Sequence, residues 1–385
     1  MGIQTSIRRA QSSAVDAVEA VREFHQAVVQ ENIALVVFFC FGTYDLEAIA
    51  AEMRRLFNGI QVVGCTTAGE IGPQGYRERS LSGVSFSASE FHAVSGCIDR
   101  LQQFTSSTGY STVQTLLQAL EARAPHADAS NSFAFMLIDG MSAREELVTH
   151  TLQRALGDIA LVGGSTGNNL KFRNTHVYFQ GQFYLDSSVL VLVNTRLPFK
   201  LFKTQHFVAT EERMVVTEAD PARRLVMEIN GLPAAQEYAR MLGIDANDLT
   251  SACFAANPVV VVINGANYVR SIQKANPDGS LTFFCAIESG LVLRTAKGID
   301  IEENLKQAFA RVRSQIGPPQ LVLGFDCIWR RLEMSHEQKD RINEVLVDNH
   351  VIGFNTYGEQ YHGVHVTQTF VGIAIGANEL GSTDA

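Results

Sequence analysis

One pattern recurs three times along this chain: an apolar run, a helix-like stretch, a second apolar run, and a glycine with two hydroxyl or amide residues close behind it. The first copy begins Val36-Val37-Phe38-Phe39-Cys40 and ends Val62-Val63-Gly64-Cys65-Thr66-Thr67-Ala68-Gly69-Glu70. The second begins Phe133-Ala134-Phe135-Met136-Leu137-Ile138 and ends Leu161-Val162-Gly163-Gly164-Ser165-Thr166-Gly167-Asn168-Asn169. The third begins Leu321-Val322-Leu323-Gly324-Phe325 and ends Val351-Ile352-Gly353-Phe354-Asn355-Thr356-Tyr357-Gly358-Glu359. Apolar runs without alternation suit strands covered on both faces. Two such strands flanking one helix call for a right-handed crossover and parallel pairing.

The spacing predicts helices over 13–31 (capped by Ser12 or Ser13), 45–57, 111–123, 144–156 and 302–315, and strands over 34–40, 60–64, 133–138 and 159–163. After each glycine turn the strands are short and joined by turns such as Gln180-Gly181-Gln182, so they read as antiparallel. The fold class is therefore α/β in a mixed α+β sense: mixed parallel and antiparallel sheets built from repeated strand–helix–strand–glycine-turn units. Residues 198–318 break the period. Asn264-Gly265 and Pro277-Asp278-Gly279 mark hairpins there, which makes this stretch a β-rich insert. The boundaries are 1–197 for an N-terminal domain with two copies and 198–385 for a C-terminal domain, whose third copy occupies 319–380.

A net charge of −9 without a basic stripe excludes nucleic acid as the main partner. No apolar run approaches the ~18 residues of a membrane span, and Met1–Arg9 has no apolar run behind it, so neither a membrane segment nor a secretory signal is expected. The expected compartment is cytoplasmic. The six cysteines form no C-x-x-C pair and read as reduced, buried thiols; Cys65, inside a glycine turn, is the one worth testing for reactivity.

Gly163-Gly164-Ser165-Thr166-Gly167 fits the nucleophile-elbow pattern, but residues 168–174 do not look helical, and the matching positions hold Thr66 and Asn355. A tight turn satisfied by hydroxyls is the plainer reading, with a serine hydrolase using Ser165 as a second alternative. No Walker lysine follows any of the glycines. Thr66, Thr67, Glu70, Ser165, Thr166, Asn355, Thr356 and Glu359 are the candidate ligand-pocket residues. Glu70 and Glu359 hold matching places, where the second copy has Asn169; each could cap its turn or recognise an amine.

The series Val63-Gly64-Cys65-Thr66-Thr67-Ala68-Gly69-Glu70, Glu228-Ile229-Asn230-Gly231-Leu232-Pro233-Ala234 and Gly353-Phe354-Asn355-Thr356-Tyr357-Gly358-Glu359 resembles the FIST family of two-part bacterial sensory proteins, over roughly residues 30–380. The resemblance implies a FIST N and a FIST C domain. It extends to haem-binding nitric-oxide sensors that regulate a histidine kinase, and through it cyclic-di-GMP metabolism and biofilm behaviour. It therefore implies haem as cofactor, nitric oxide or another small ligand, and a histidine kinase or cyclic-di-GMP enzyme as partner. Other members imply an amino acid or similar metabolite without haem. A non-enzymatic sensor is expected, with self-association left open.

Haem iron needs an axial ligand in an apolar pocket. His365, just after the third glycine turn, and His206, at the entry to the insert, are the candidate haem-iron ligands, because both sit among apolar residues near expected domain contacts. Arg330 and Arg331, beside the single Trp329, are candidate partners for propionates or a carboxylate.

Overall fold

The computed structural model describes residues 6–169, 173–263 and 265–377. Three six-stranded sheets carry the repeats, and a further sheet of eight strands belongs to the insert. In each copy the two apolar runs become parallel neighbours: Ile33–Phe41 with Val62–Thr67, Ser132–Ile138 with Leu161–Ser165, and Leu321–Cys327 with Val351–Thr356. A long antiparallel strand closes each unit on the other side: Leu81–Ser87, Ser188–Thr195 and Thr369–Ile375. A leading strand then pairs with that closing strand: Ile7–Ser12, Phe91–Ile98 and Phe199–Gln205. The repeating unit thus begins one strand and one helix earlier than the sequence pattern suggests. In the third copy the insert separates the leading strand from its helix, Ile301–Ile316.

The last two strands of each sheet come from another copy. The hairpin Glu70–Gly72/Gly75–Arg77 of copy one pairs with Val351–Thr356 of copy three. The hairpin Val177–Phe179/Gln182–Tyr184 of copy two joins Val62–Thr67 of copy one. The hairpin Glu359–Tyr361/Val364–Val366 of copy three joins Leu161–Ser165 of copy two. The exchange closes head to tail: each sheet draws on two copies, and the three sheets are complete only when all three copies are in place. The inner faces form one core, in which Phe39 of copy one meets Phe354 of copy three at 4.8 Å between ring centroids. Each such buried aromatic contributes about 1.5–3 kcal/mol. The outer faces are covered by helices, and the insert has its own core around Val216, Tyr238, Val259 and Phe283.

Local signals explain the helix ends. Asp45 caps Leu46–Leu56 by accepting from the Glu47 and Ala48 amides, as expected. The first helix is shorter than predicted, Ala17–Val28, and its cap is Asp16 rather than a serine: Ser12 is the last residue of the leading strand. Among the described residues no helix is long and apolar enough to cross a membrane.

Candidate functional site

The expected glycine turns are strand for most of their length: Val62–Thr67, Leu161–Ser165 and Val351–Thr356 run straight through the first glycine. Gly64, Gly163 and Gly353 are there because a β-carbon would strike the carbonyl oxygens of Phe38, Met136 and Gly324 on the partner strands. The three strand ends meet and bond in a closed cycle. Gly167 N donates to Thr66 O at 3.1 Å, Ala68 N to Asn355 O at 3.2 Å, and Tyr357 N to Ser165 O at 3.1 Å. A second cycle runs Asn355 N to Gly69 O, Ser165 N to Gly358 O and Thr66 N to His176 O, at 2.8, 2.8 and 3.0 Å. The structure therefore brings Thr66, Thr67, Ser165, Thr166, Asn355 and Thr356 together, each with 0% exposure, in a seam closed to solvent.

Glu70 and Glu359 anchor this seam in the same way. Glu70 accepts from the Thr67 hydroxyl on one oxygen and from the Ser80 amide and hydroxyl at 3.1 and 2.8 Å on the other. Glu359 accepts from the Thr356 hydroxyl and from the Thr369 amide and hydroxyl at 3.1 and 2.6 Å. Burial pushes each carboxyl up to about 8, against the opposing pull of its hydroxyl donors. Copy two solves the same corner differently. In space the place of the glutamates is held by Val177, which pairs with Cys65, while Asn169 donates its amide to Thr67 O. The carboxylate there comes from Asp139, which accepts from the Thr175 hydroxyl and, at 2.6 Å, from the Asp186 amide.

Ser165 Oγ accepts from Gln360 Nε2 at 2.9 Å, and among the described residues no helix follows directly after it. A carboxamide cannot take the serine proton, so the elbow pattern here lacks the base that a nucleophile needs. Burial raises the Cys65 thiol well above its ordinary range, which leaves it unreactive.

His206 lies in a buried chain of charged groups. Arg330 donates to Asp326 at 2.8 Å and to His206 Nδ1 at 3.0 Å, and His206 Nε2 meets Glu333 at 2.8 Å. Tyr76, from the exchanged hairpin of copy one, donates to the other Asp326 oxygen. Because Arg330 can only donate, His206 accepts at Nδ1 and donates from Nε2, which makes it a neutral imidazole. Burial lowers its pKa, with Glu333 opposing. Arg331 bridges Asn355 at 3.2 Å and Glu78 at 2.9 Å.

His365 sits where the insert meets the ring. Gln360 and His365 are opposite each other in the exchanged hairpin, and Gln360 Nε2 donates to His365 Nδ1 at 3.3 Å. His365 Nε2 then donates to the Phe284 carbonyl of the insert, also at 3.3 Å. Burial lowers the pKa of this imidazole, while Glu146 and Glu145 pull it upward. Further polar bonds complete the junction. Arg224 of the insert reaches Glu145 and Glu146 of copy two at 2.6 Å each, and the Ala286 amide donates to Glu146 at 2.9 Å. Ser271 donates to Thr367, and Thr367 to the Val269 carbonyl. A small apolar patch accompanies them: Phe284 and Ala255 pack on Ala68, Cys327, Ile328, Trp329 and Tyr357.

Iron ligation by either candidate histidine needs an open ring nitrogen facing a porphyrin-sized slot. Both nitrogens of His365 and both of His206 are engaged within the protein, and Arg330 is held on Asp326. The residues at these positions do not fit a haem ligand set as they stand. Among the described residues no cluster of three or more His, Cys, Asp or Glu could hold a metal ion. A cavity of about 370 Å³ lies at the opposite end of the sheets, lined by His92, Arg123, His126, Asn131 and Arg196, away from both histidines.

Sequence reasoning missed Arg224, Glu145, Glu146, Arg270, Gln360 and Gln368. The partners of Arg224 and Gln360 lie far along the chain, Glu145 at 79 positions and Ser165 at 195, and Gln368 and Arg270 become unusual only once they are buried.

Two family models match the chain: the FIST N domain over residues 34–232 and the FIST C domain over residues 234–362. The chain belongs to the FIST family, whose domains mark a signal-transduction sensor that binds small ligands. No curated protein matches the sequence. Among solved structures, one described as "Cyanuric acid hydrolase: evolutionary innovation by structural concatenation" aligns over 96% of this chain and 99% of its own, at 9% identity and a TM-score of 0.36. That neighbour is an enzyme, and the expectation that this chain is not one is withdrawn on that finding. So distant a likeness assigns no activity to the chain.

Proposed function

We propose that this chain is a sensor in which a small polar ligand binds at the junction of the insert with the ring and changes how the insert is docked. The observation that carries the reading is the polar character of that junction. The insert has a core of its own and meets the ring mainly through Arg224, Ala286, Ser271 and the His365–Phe284 bond, with one small apolar patch. Interfaces of this kind permit relative motion, and a ligand that favours one docking shifts the population toward it. Phe284 also touches Tyr357, whose hydroxyl donates to Asn169 O at 2.6 Å, so a shift of the insert is felt in the seam of the three copies.

Haem and nitric oxide do not form part of this reading, because both candidate histidines use both ring nitrogens inside the protein. A histidine kinase or a cyclic-di-GMP enzyme as the reader of the change rests on the family resemblance alone. The test is a thermal-shift screen of small polar metabolites followed by hydrogen exchange on each hit. Protection over 284–288 and 365–368 is the expected result. Hits whose protection maps instead to the cavity around Arg123 and Arg196 would contradict the proposal.

A further inference from the structure

The left-handed residue that precedes each closing strand is Arg79, Asp186 or Gln368, with φ of 57°, 46° and 55°. The sheet register makes the three equivalent: Leu81 pairs with Cys40, Ser188 with Ile138 and Phe370 with Asp326, and those partners lie opposite Thr66, Ser165 and Asn355 in the parallel pairs. Arg79 is exposed, and the Asp186 carboxylate accepts from Gln102 at 3.3 Å. The insert covers the third corner, so Gln368 has 0% exposure, and among the described residues neither its amide nitrogen nor its amide oxygen has a partner. Two more unpaired buried atoms belong to the same junction, Gln360 Oε1 and Arg270 Nε. A chain of bonds links them: Gln360 to His365, His365 to Phe284, the Phe284 amide to Ser271 O, and Ser271, next to Arg270, to Thr367, next to Gln368.

Buried polar groups are nearly always paired, so four unpaired atoms in one junction mark a place where something else completes the set. Two of the atoms donate, Gln368 Nε2 and Arg270 Nε, and two accept, Gln368 Oε1 and Gln360 Oε1. A simple anion would leave both carbonyl oxygens unanswered. A simple cation would face the Arg270 guanidinium. A planar group that carries N–H and C=O side by side offers partners of both kinds, and its edge matches the donor–acceptor edge of the Gln368 carboxamide.

We propose that the junction binds a small neutral amide or ureide, recognised by the Gln368 carboxamide with the Gln360 carbonyl and the Arg270 guanidinium; the inference rests on the sensor reading and supplies its ligand class. Entry requires the segment around Phe284 to lift, which couples occupancy to the docking of the insert.

The experiment is calorimetric titration of the full chain with hydantoin and with uracil as neutral planar amides, and with acetate and methylammonium as charged controls. The wild type is expected to show saturable binding of at least one amide and none of the controls. Gln368→Leu is expected to weaken that binding tenfold or more, and Gln368→Met, which keeps the side-chain volume, to do the same should the leucine variant fold poorly. Absence of saturable amide binding, equal affinity in a folded variant, or binding of acetate in place of the amides would each overturn the assignment. If other metabolites protect the junction while amides fail, the ligand class falls and the sensor reading stands.

Discussion

The seam of the three copies and the junction with the insert are both buried and both polar, yet they treat their polar groups in opposite ways. In the seam each carboxylate has its donors: Glu70, Glu359 and Asp139 accept from Thr67 and Ser80, Thr356 and Thr369, and Thr175 and Asp186. In the junction Gln368, Gln360 and Arg270 hold polar atoms that no described group answers. Satisfied networks fix one arrangement, whereas unpaired groups are costly to keep at about 1–3 kcal/mol each. The seam is therefore architecture, and the junction is where the chain gives up stability for recognition.

The comparison breaks most visibly at Asp326, which ties copy three to Tyr76 of copy one and holds Arg330. Asp326→Ala leaves a fully buried guanidinium without its counter-charge and is expected to destabilise the chain by about 3–5 kcal/mol in denaturant unfolding. A loss below 1 kcal/mol would show that this chain of charges is not structural.

The paired carboxyls sharpen the comparison through pH. Glu70 and Glu359 have folded-state pKa values raised to about 8, so the fold favours their protonated forms. Their contribution is fully present below the unfolded pKa near 4.5 and is lost as pH rises to about 8. The loss is on the order of 2–4 kcal/mol for each group. Glu70→Gln, which keeps the shape and cannot ionise, is expected to remove about half of the fall in unfolding free energy between pH 5 and pH 8. An unchanged slope in the variant would show that Glu70 is charged in the folded chain.

The sequence made the repeats plain, because each pair of unalternating apolar runs must become covered parallel strands, and Asp45 announced its helix. The hairpin exchange was not legible. The polar residues that make it possible, such as Gln360 opposite Gly163, pair with strands nearly 200 positions away, and nothing local distinguishes an exchanged hairpin from a local one. The leading strand Phe199–Gln205 was hidden because the insert cuts it off from its helix. For the candidate site, His365 lies where the insert meets the ring. Its role was not readable, since the Phe284 carbonyl that occupies its Nε2 lies 81 positions away, and Gln368 becomes unusual only once the insert covers it.

The central claim is that polar groups in the seam hold the fold while the unpaired polar atoms of the junction do not, and adjacent residues test it. Thr369 bonds Glu359 in the seam, and Gln368 faces the junction. The measurement is the unfolding free energy of Thr369→Val against Gln368→Leu at one pH. The account predicts a loss of about 1–2 kcal/mol for Thr369→Val, and for Gln368→Leu no loss beyond ~0.5 kcal/mol or a gain. A Gln368→Leu chain that loses as much as Thr369→Val would contradict it.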